Sequence, residues 1–205
     1  MGFYKNARKP EGWGGKLMLN MMNKGHEAMA KWGFSNIDIK QYKRVLDIGC
    51  GGGVNIKKML AENADIYAAG IDYSDVSVQK SKRVNLKAIK AGRCEIKQGN
   101  VMALPYDSES FDLVTAFETI YFWPDIEKAF EGICSILENV GRFLICNGAN
   151  GEIEEHEKWI EMVGDMKIYN SAELVETLKN AGFAKSDIYK HDNGWLCIVA
   201  QKYLI

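Results

Sequence analysis

From Arg44 onward, short runs of β-branched and apolar residues alternate with stretches of ten or more residues whose apolar positions recur at helical spacing. RVLDIG, IYAAGID, CEIKQGN, FDLVTAFE and GRFLICNG read as strands. Between them the spacing predicts helices over Val54–Asn63, about Asp75–Ala91 and Pro124–Glu138, the last with proline at the first helical position, where its missing N–H leaves nothing unpaired. Strand and helix alternating in this way predict parallel βαβ units, a sheet with helices on both faces. Beyond Gly151 come a charged helix EIEEHEKWIEMV, a helix from about Ser171 to Ala181, and two strand-like runs, FAKSDIYKH and WLCIVAQKY, joined around Asp-Asn-Gly, a hairpin-turn signal. The parallel sheet therefore ends in an antiparallel pair. No repeat, low-complexity tract or linker divides the chain.

Residues 1–43 carry no strand-like run. Met18, Met22, His26 and Met29 fall on one helical face, so the segment is expected to form a helical cap that packs on the domain of residues 44–205 or closes over it as a lid. The whole is expected to be one structural domain, since 205 residues at 47% hydrophobic content suit one large core.

A net charge of -1 gives no clustered basic face, so a nucleic-acid partner is not expected. Cys50, Cys94, Cys134, Cys146 and Cys197 lie far apart without a C-x-x-C spacing, mostly in apolar runs, and read as reduced core residues rather than metal ligands or disulfides. No apolar stretch approaches membrane-span length and MGFYKNARKP lacks the apolar core of a secretory signal, so a soluble, cytoplasmic monomer or homodimer without membrane insertion is expected.

The chemistry gathers at strand ends, where ligands of open α/β sheets bind. In VLDIGCGGG, Gly49, Cys50 and Gly51 form a turn whose backbone a ligand can approach closely. The dinucleotide pattern G-x-G-x-x-G fits from neither Gly49 nor Gly51, because Val54 or Ile56 takes the last place. Asp47 on the way in would repel phosphates and attract an amine or sulfonium. Asp72, twenty-three residues after Gly49, stands where an acidic residue accepts hydrogen bonds from ribose hydroxyls, or else caps the next helix. Tyr73 has a ring that packs against a purine or fills the loop. Asn100 offers a donor and an acceptor to a base edge, or is a turn residue, and Val101 and Met102 supply an apolar wall. Glu118, after the fourth strand, places a second carboxylate on the same rim as Asp47.

In this order and spacing, VLDIGCGGG, GIDYS, GNVMALPYDSESFDLV and GRFLICNG resemble the successive motifs of class I S-adenosylmethionine-dependent methyltransferases. The similarity spans about Arg44 to Gly148 and is nearest in flavour to the small-molecule branch with ubiquinone/menaquinone-biosynthesis-like (methyltransferase type 11-like) enzymes. The resemblance implies an α/β, Rossmann-like three-layer sandwich with a seven-stranded, mostly parallel sheet. It implies S-adenosyl-L-methionine as cofactor, S-adenosyl-L-homocysteine as product, and a small-molecule acceptor. Asp47, Gly49, Cys50 and Gly51 would hold the methionine part, Asp72 the ribose, Tyr73 the adenine face, Asn100, Val101 and Met102 the adenine edge, with Glu118 on the sulfonium side. Two departures stand out: Asn100 replaces the commoner aspartate, and Tyr121, Phe122 and Trp123 stand where many relatives have a histidine.

Methyl transfer from a sulfonium is an in-line displacement needing alignment and exclusion of water, and a base only where the acceptor is protonated. Acceptor-side candidates are Trp13, flanked by glycines and able to cover a cation, and Tyr121, Trp123 and His26, each with a plain packing role as the alternative. His156 and His191 read as surface residues, and no metal is expected. The other open readings are a non-catalytic S-adenosylmethionine-binding protein and a nicotinamide-dependent oxidoreductase, against which Asp47 and the missing glycine speak.

Overall fold

Strand β1 (Arg44–Ile48) is buried at every position from Val45 to Ile48. A strand apolar on both faces needs cover on both, and the surrounding architecture supplies it. The computed structural model describes residues 26–152 and 166–203. The charged helix expected after Gly151, most of the cap segment, and Trp13, Met18, Met22 and His156 lie outside these residues.

Beside β1, strands β2 (Tyr67–Asp72), β3 (Cys94–Gln98), β4 (Phe111–Phe117), β5 (Leu137–Asn147), β6 (Phe183–Lys190) and β7 (Leu196–Lys202) form one sheet in the order β3-β2-β1-β4-β5-β7-β6. The first five pair in parallel, and β7 runs antiparallel to both β5 and β6. The seven-stranded, Rossmann-like sheet with a terminal antiparallel hairpin is thus present. Helices α1 (Glu27–Phe34), α2 (Val54–Glu62) and α3 (Asp75–Val84) cover one face through Met29, Ala30, Ile56, Met59 and Val78, over Val45, Leu113 and Leu144. On the other face α5 (Ile126–Ile136) and α6 (Ser171–Asn180) pack Phe130, Ile133, Leu174 and Leu178 over Leu46, Val114 and Phe143. Connections leave β1 toward β2 and β3 on one side and then cross to β4 on the other. That reversal between β1 and β4 opens a crevice at their carboxyl ends.

Three element boundaries differ from the sequence expectation. The helix expected over Asp75–Ala91 is two, α3 and α4 (Leu86–Lys90), broken at Asn85. Asn85 is buried, and its Nδ2 donates to the carbonyls of Gly53 and Ser81, 3.0 Å each, which ties the break to the loop after β1. Proline does not open α5: Asp125 is the N-cap, its side chain accepting from the Lys128 N–H, and Pro124 stands one residue earlier. Nor does α5 reach Glu138, because β5 begins at Leu137 and turns at Val140, whose φ of 58° is left-handed.

All five cysteines are buried and free, with Cys146 opposite Cys197 across the β5–β7 ladder. His191 is not a simple surface residue: it stacks on Trp195 at 4.4 Å and meets the edge of Trp32 at 5.3 Å. With Phe34 against Phe117 at 4.7 Å, these contacts seat α1 on the sheet. Among the described residues, no helix is long and apolar enough to cross a membrane, and no cluster of side chains could hold a metal.

Candidate active site

The loop after β1 owes its shape to glycine. Gly49, Gly51 and Gly53 have φ of 69°, 50° and 76°, which side-chain-bearing residues rarely adopt. Gly49 and Cys50 donate to the Ile71 carbonyl at 2.8 and 3.1 Å, so the loop folds back over β2. A Cβ at Gly49 would sit 2.3 Å from Thr119 Oγ1, so the loop also presses against the segment after β4.

That fold brings Gly51 to Asp72, whose Oδ2 accepts from the Gly51 N–H and Oδ1 from the Ser74 N–H, both at 2.8 Å. Burial pushes the Asp72 carboxyl above its ordinary value, outweighing the hydrogen bonds from Ser74 and Gly51 that pull it down. Asp72 does not cap α3; Ser74 does. Tyr73 beside it is 58% exposed. Asn100 makes a local turn, its Oδ1 accepting from the Met102 N–H at 3.0 Å, and Val101 follows it into the cleft.

Glu118 stands opposite with a φ of 58°. Its N–H donates to the Cys146 carbonyl at 2.9 Å, and its Oε1 accepts from Tyr121 Oη at 3.0 Å and from the Gly148 N–H. Tyr121 Oη in turn accepts from the Ala149 N–H at 3.0 Å. Burial first, then the Glu118 charge, holds the Tyr121 hydroxyl well above its usual range, so it stays protonated and donating. Glu118 Oε2 faces His26 Nε2 at 3.6 Å.

A cleft of about 530 Å³ runs between these groups, within the usual size of small-molecule sites. His26, Gly49, Gly51, Asp72, Tyr73, Asn100, Val101, Glu118 and Trp123 line it together. Four residues expected there do not. Asp47 lies beneath the loop with 2% of its surface exposed, its Oδ1 accepting from Thr115 Oγ1 at 2.7 Å. Burial pushes its carboxyl up to about 7, against the Thr115 hydrogen bond and with the Asp72 charge adding to the rise. Cys50 turns inward, its thiol directed at Ser81 Oγ at 3.9 Å. Met102 packs against the core, and Tyr121 braces Glu118 from behind. Trp13 lies outside the described residues.

The cleft also has walls that the sequence reading passed over: Thr119, which bonds Trp123 Nε1 at 3.3 Å, with Phe117, Phe122, Pro124 and Ser77. Phe122 belonged to the aromatic run already noted, but only the 3-10 turn over Ile120–Phe122 decides that it, and not Tyr121, faces the cleft. Thr119 and Ser77 carry no local signal.

Residues 39–195 match the family model described as "Methyltransferase domain". Among curated proteins, the chain is 27% identical over 169 residues to 24-methylenesterol C-methyltransferase 2 of Arabidopsis thaliana, covering 77% of this chain and 45% of that one. It is 32% identical over 102 residues to 27-O-demethylrifamycin SV methyltransferase of Amycolatopsis mediterranei, covering 50% of this chain and 37% of that protein. The chain thus spans about half or less of the length of these relatives. Geranyl diphosphate C-methyltransferase from Streptomyces coelicolor, solved with Mg²⁺, geranyl diphosphate and S-adenosyl-L-homocysteine, superposes with a TM-score of 0.73 at 13% identity, over 86% of this chain and 77% of that one. The [4+2]-cyclase SpnF does so with 0.72 at 18% identity, over 87% and 82%. At such identities the structural matches carry the fold alone, and the cyclase among them shows that this fold also serves other chemistry.

Proposed function

We propose that this chain, which belongs to the methyltransferase-domain family, is an S-adenosylmethionine-dependent methyltransferase that moves a methyl group to a small apolar acceptor. The observation that carries the reading is one cleft holding bare glycine backbone, the half-buried Asp72 carboxylate and, opposite, the Glu118 carboxylate beside aromatic walls. Bound there, S-adenosylmethionine would supply an activated methyl group and leave as S-adenosylhomocysteine.

The residues fit that ligand. Gly49 and Gly51 let a chain with an amine and carboxylate lie against the backbone. Asp72 is held by two backbone donors with lone pairs left for ribose hydroxyls. Tyr73, Asn100 and Val101 form the adenine side, and the Asn100 amide N–H₂ group remains a donor while its oxygen holds the turn. Glu118 gives the sulfonium side a negative charge, which Asp47 would reinforce from below when ionised. Phe117, Phe122 and Trp123 exclude water where the acceptor would lie. The protein would act as a monomer or homodimer, and its buried free thiols suit a reducing cytoplasm.

Turnover is the test, because a fold shared with a cyclase does not guarantee methyl transfer. The purified protein should release S-adenosylhomocysteine from S-adenosylmethionine when offered a panel of apolar alcohols, phenols, thiols and alkenes. Tight cofactor binding without release on any acceptor would instead mark a binding protein.

A further inference from the structure

His26 is the N-cap residue of α1, yet its side chain makes no capping hydrogen bond to that helix. It lines the cleft instead, Nε2 at 3.6 Å from Glu118 Oε2, within ion-pair reach. Glu118 is not free to swing away. Its backbone is held left-handed, and its Oε1 accepts from both Tyr121 and Gly148, leaving Oε2 as the oxygen turned toward the imidazole. A carboxylate fixed at one ring nitrogen keeps the proton there and leaves the other nitrogen as an oriented base. The carboxylate is partly sheltered, with 18% of its side chain exposed, whereas the imidazole at 39% can be reached from the cleft.

We infer that His26, oriented by Glu118 and by Tyr121 behind it, is the general base of the proposed transfer, and that the acceptor is an apolar molecule bearing a hydroxyl or thiol. The inference rests on the methyltransferase reading above. His26 Nδ1 takes the proton of the acceptor O–H or S–H, and the electron pair of that bond stays on the heteroatom. The heteroatom bonds the methyl carbon as the carbon–sulfonium bond breaks, its pair remaining on sulfur. The imidazolium then lies against Glu118 until it loses its proton to solvent. Other ionisable groups around the ring are Glu27, next along α1, and Asp72 and Tyr73 elsewhere on the cleft wall.

Two measurements test this. The chain has 3 histidines, so His26→Gln identifies the His26 ring signals in nitrogen-resolved NMR spectra. Glu118→Gln should shift the neutral His26 ring away from the Nε2–H tautomer, because the carboxylate that holds that proton is gone; an unchanged tautomer ratio overturns the pair. The second compares 4-nitrophenol, largely ionised at pH 8, with 4-methylphenol, which is not. His26→Gln should slow methylation of 4-methylphenol by about 100-fold or more, and of 4-nitrophenol by under about threefold, with the Kd for S-adenosylhomocysteine within about twofold. Equal losses with both phenols, or a parallel loss of S-adenosylhomocysteine binding, would make His26 structural and overturn the proposal. Wild-type protein that binds S-adenosylhomocysteine but methylates neither phenol nor the matching benzenethiols overturns the acceptor class alone. Failure to bind S-adenosylhomocysteine removes the methyltransferase reading as well.

Discussion

Asp47 is a residue whose position is legible in the sequence while its surroundings are not. Its place at the end of a strand beside the glycine loop follows from the alternation of the sequence. Its burial beneath that loop, against Thr115, depends on β4, a strand far away in the chain. The consequence is measurable. The folded carboxyl titrates near 7 and the unfolded one near 3.8, so between these values the native state holds a proton that the unfolded chain releases. The stability this group contributes is complete below about pH 3.8 and is lost as pH rises through about 7, with Asp72, also raised by burial, adding a slope of the same sign. Asp47→Asn keeps an acceptor for Thr115 without the charge. Urea unfolding should show a flatter pH profile for this variant and at least about 1 kcal/mol more stability at pH 8 than the wild type; equal stability at pH 8 would refute the buried-charge assignment. Gly49→Ala is expected to cost about 1–3 kcal/mol from its left-handed φ and its contact with Thr119, and to weaken S-adenosylhomocysteine binding at least tenfold by calorimetry.

Among elements, every strand named from the sequence is present, because alternation survives small errors in boundary. Helix ends were less legible, since they are set by side-chain bonds that periodicity does not encode. Asn85 looks like any polar helix residue in the sequence, yet its amide bridges α3 to the Gly53 carbonyl and divides one expected helix into two. Asn85→Ala should therefore destabilise the protein by about 1–2 kcal/mol in thermal or urea unfolding, through two lost bonds to buried carbonyls. A neutral result would mean the break is held by packing alone. The start of α6 is simpler: Asn170 and Glu173 form a reciprocal capping box, and Asn170→Ala should cost about 1 kcal/mol.

For the whole molecule, the parallel sheet and its antiparallel end were readable because each strand announces itself locally. The seating of α1 was not. It depends on Trp32 meeting His191 and Trp195 in the β6–β7 turn, on Phe34 meeting Phe117, and on Gly33 being small enough to lie over Cys146, where a Cβ would approach the sulfur to 2.7 Å. These contacts hold His26 at the cleft, so Trp32→Ala should raise amide exchange over residues 27–34 and slow transfer to 4-methylphenol more than it weakens S-adenosylhomocysteine binding. Unchanged exchange would show that α1 is anchored elsewhere. The central claim is that the crevice between β1, β2 and β4 is built for an adenosyl sulfonium rather than a dinucleotide. Calorimetric titration of the purified protein tests it most directly. Saturable binding of S-adenosylhomocysteine at one site per chain, weakened at least tenfold by Asp72→Asn and with no comparable heat from NAD, is the predicted result. Tighter binding of NAD, or S-adenosylhomocysteine binding indifferent to Asp72→Asn and Gly49→Ala, would contradict it.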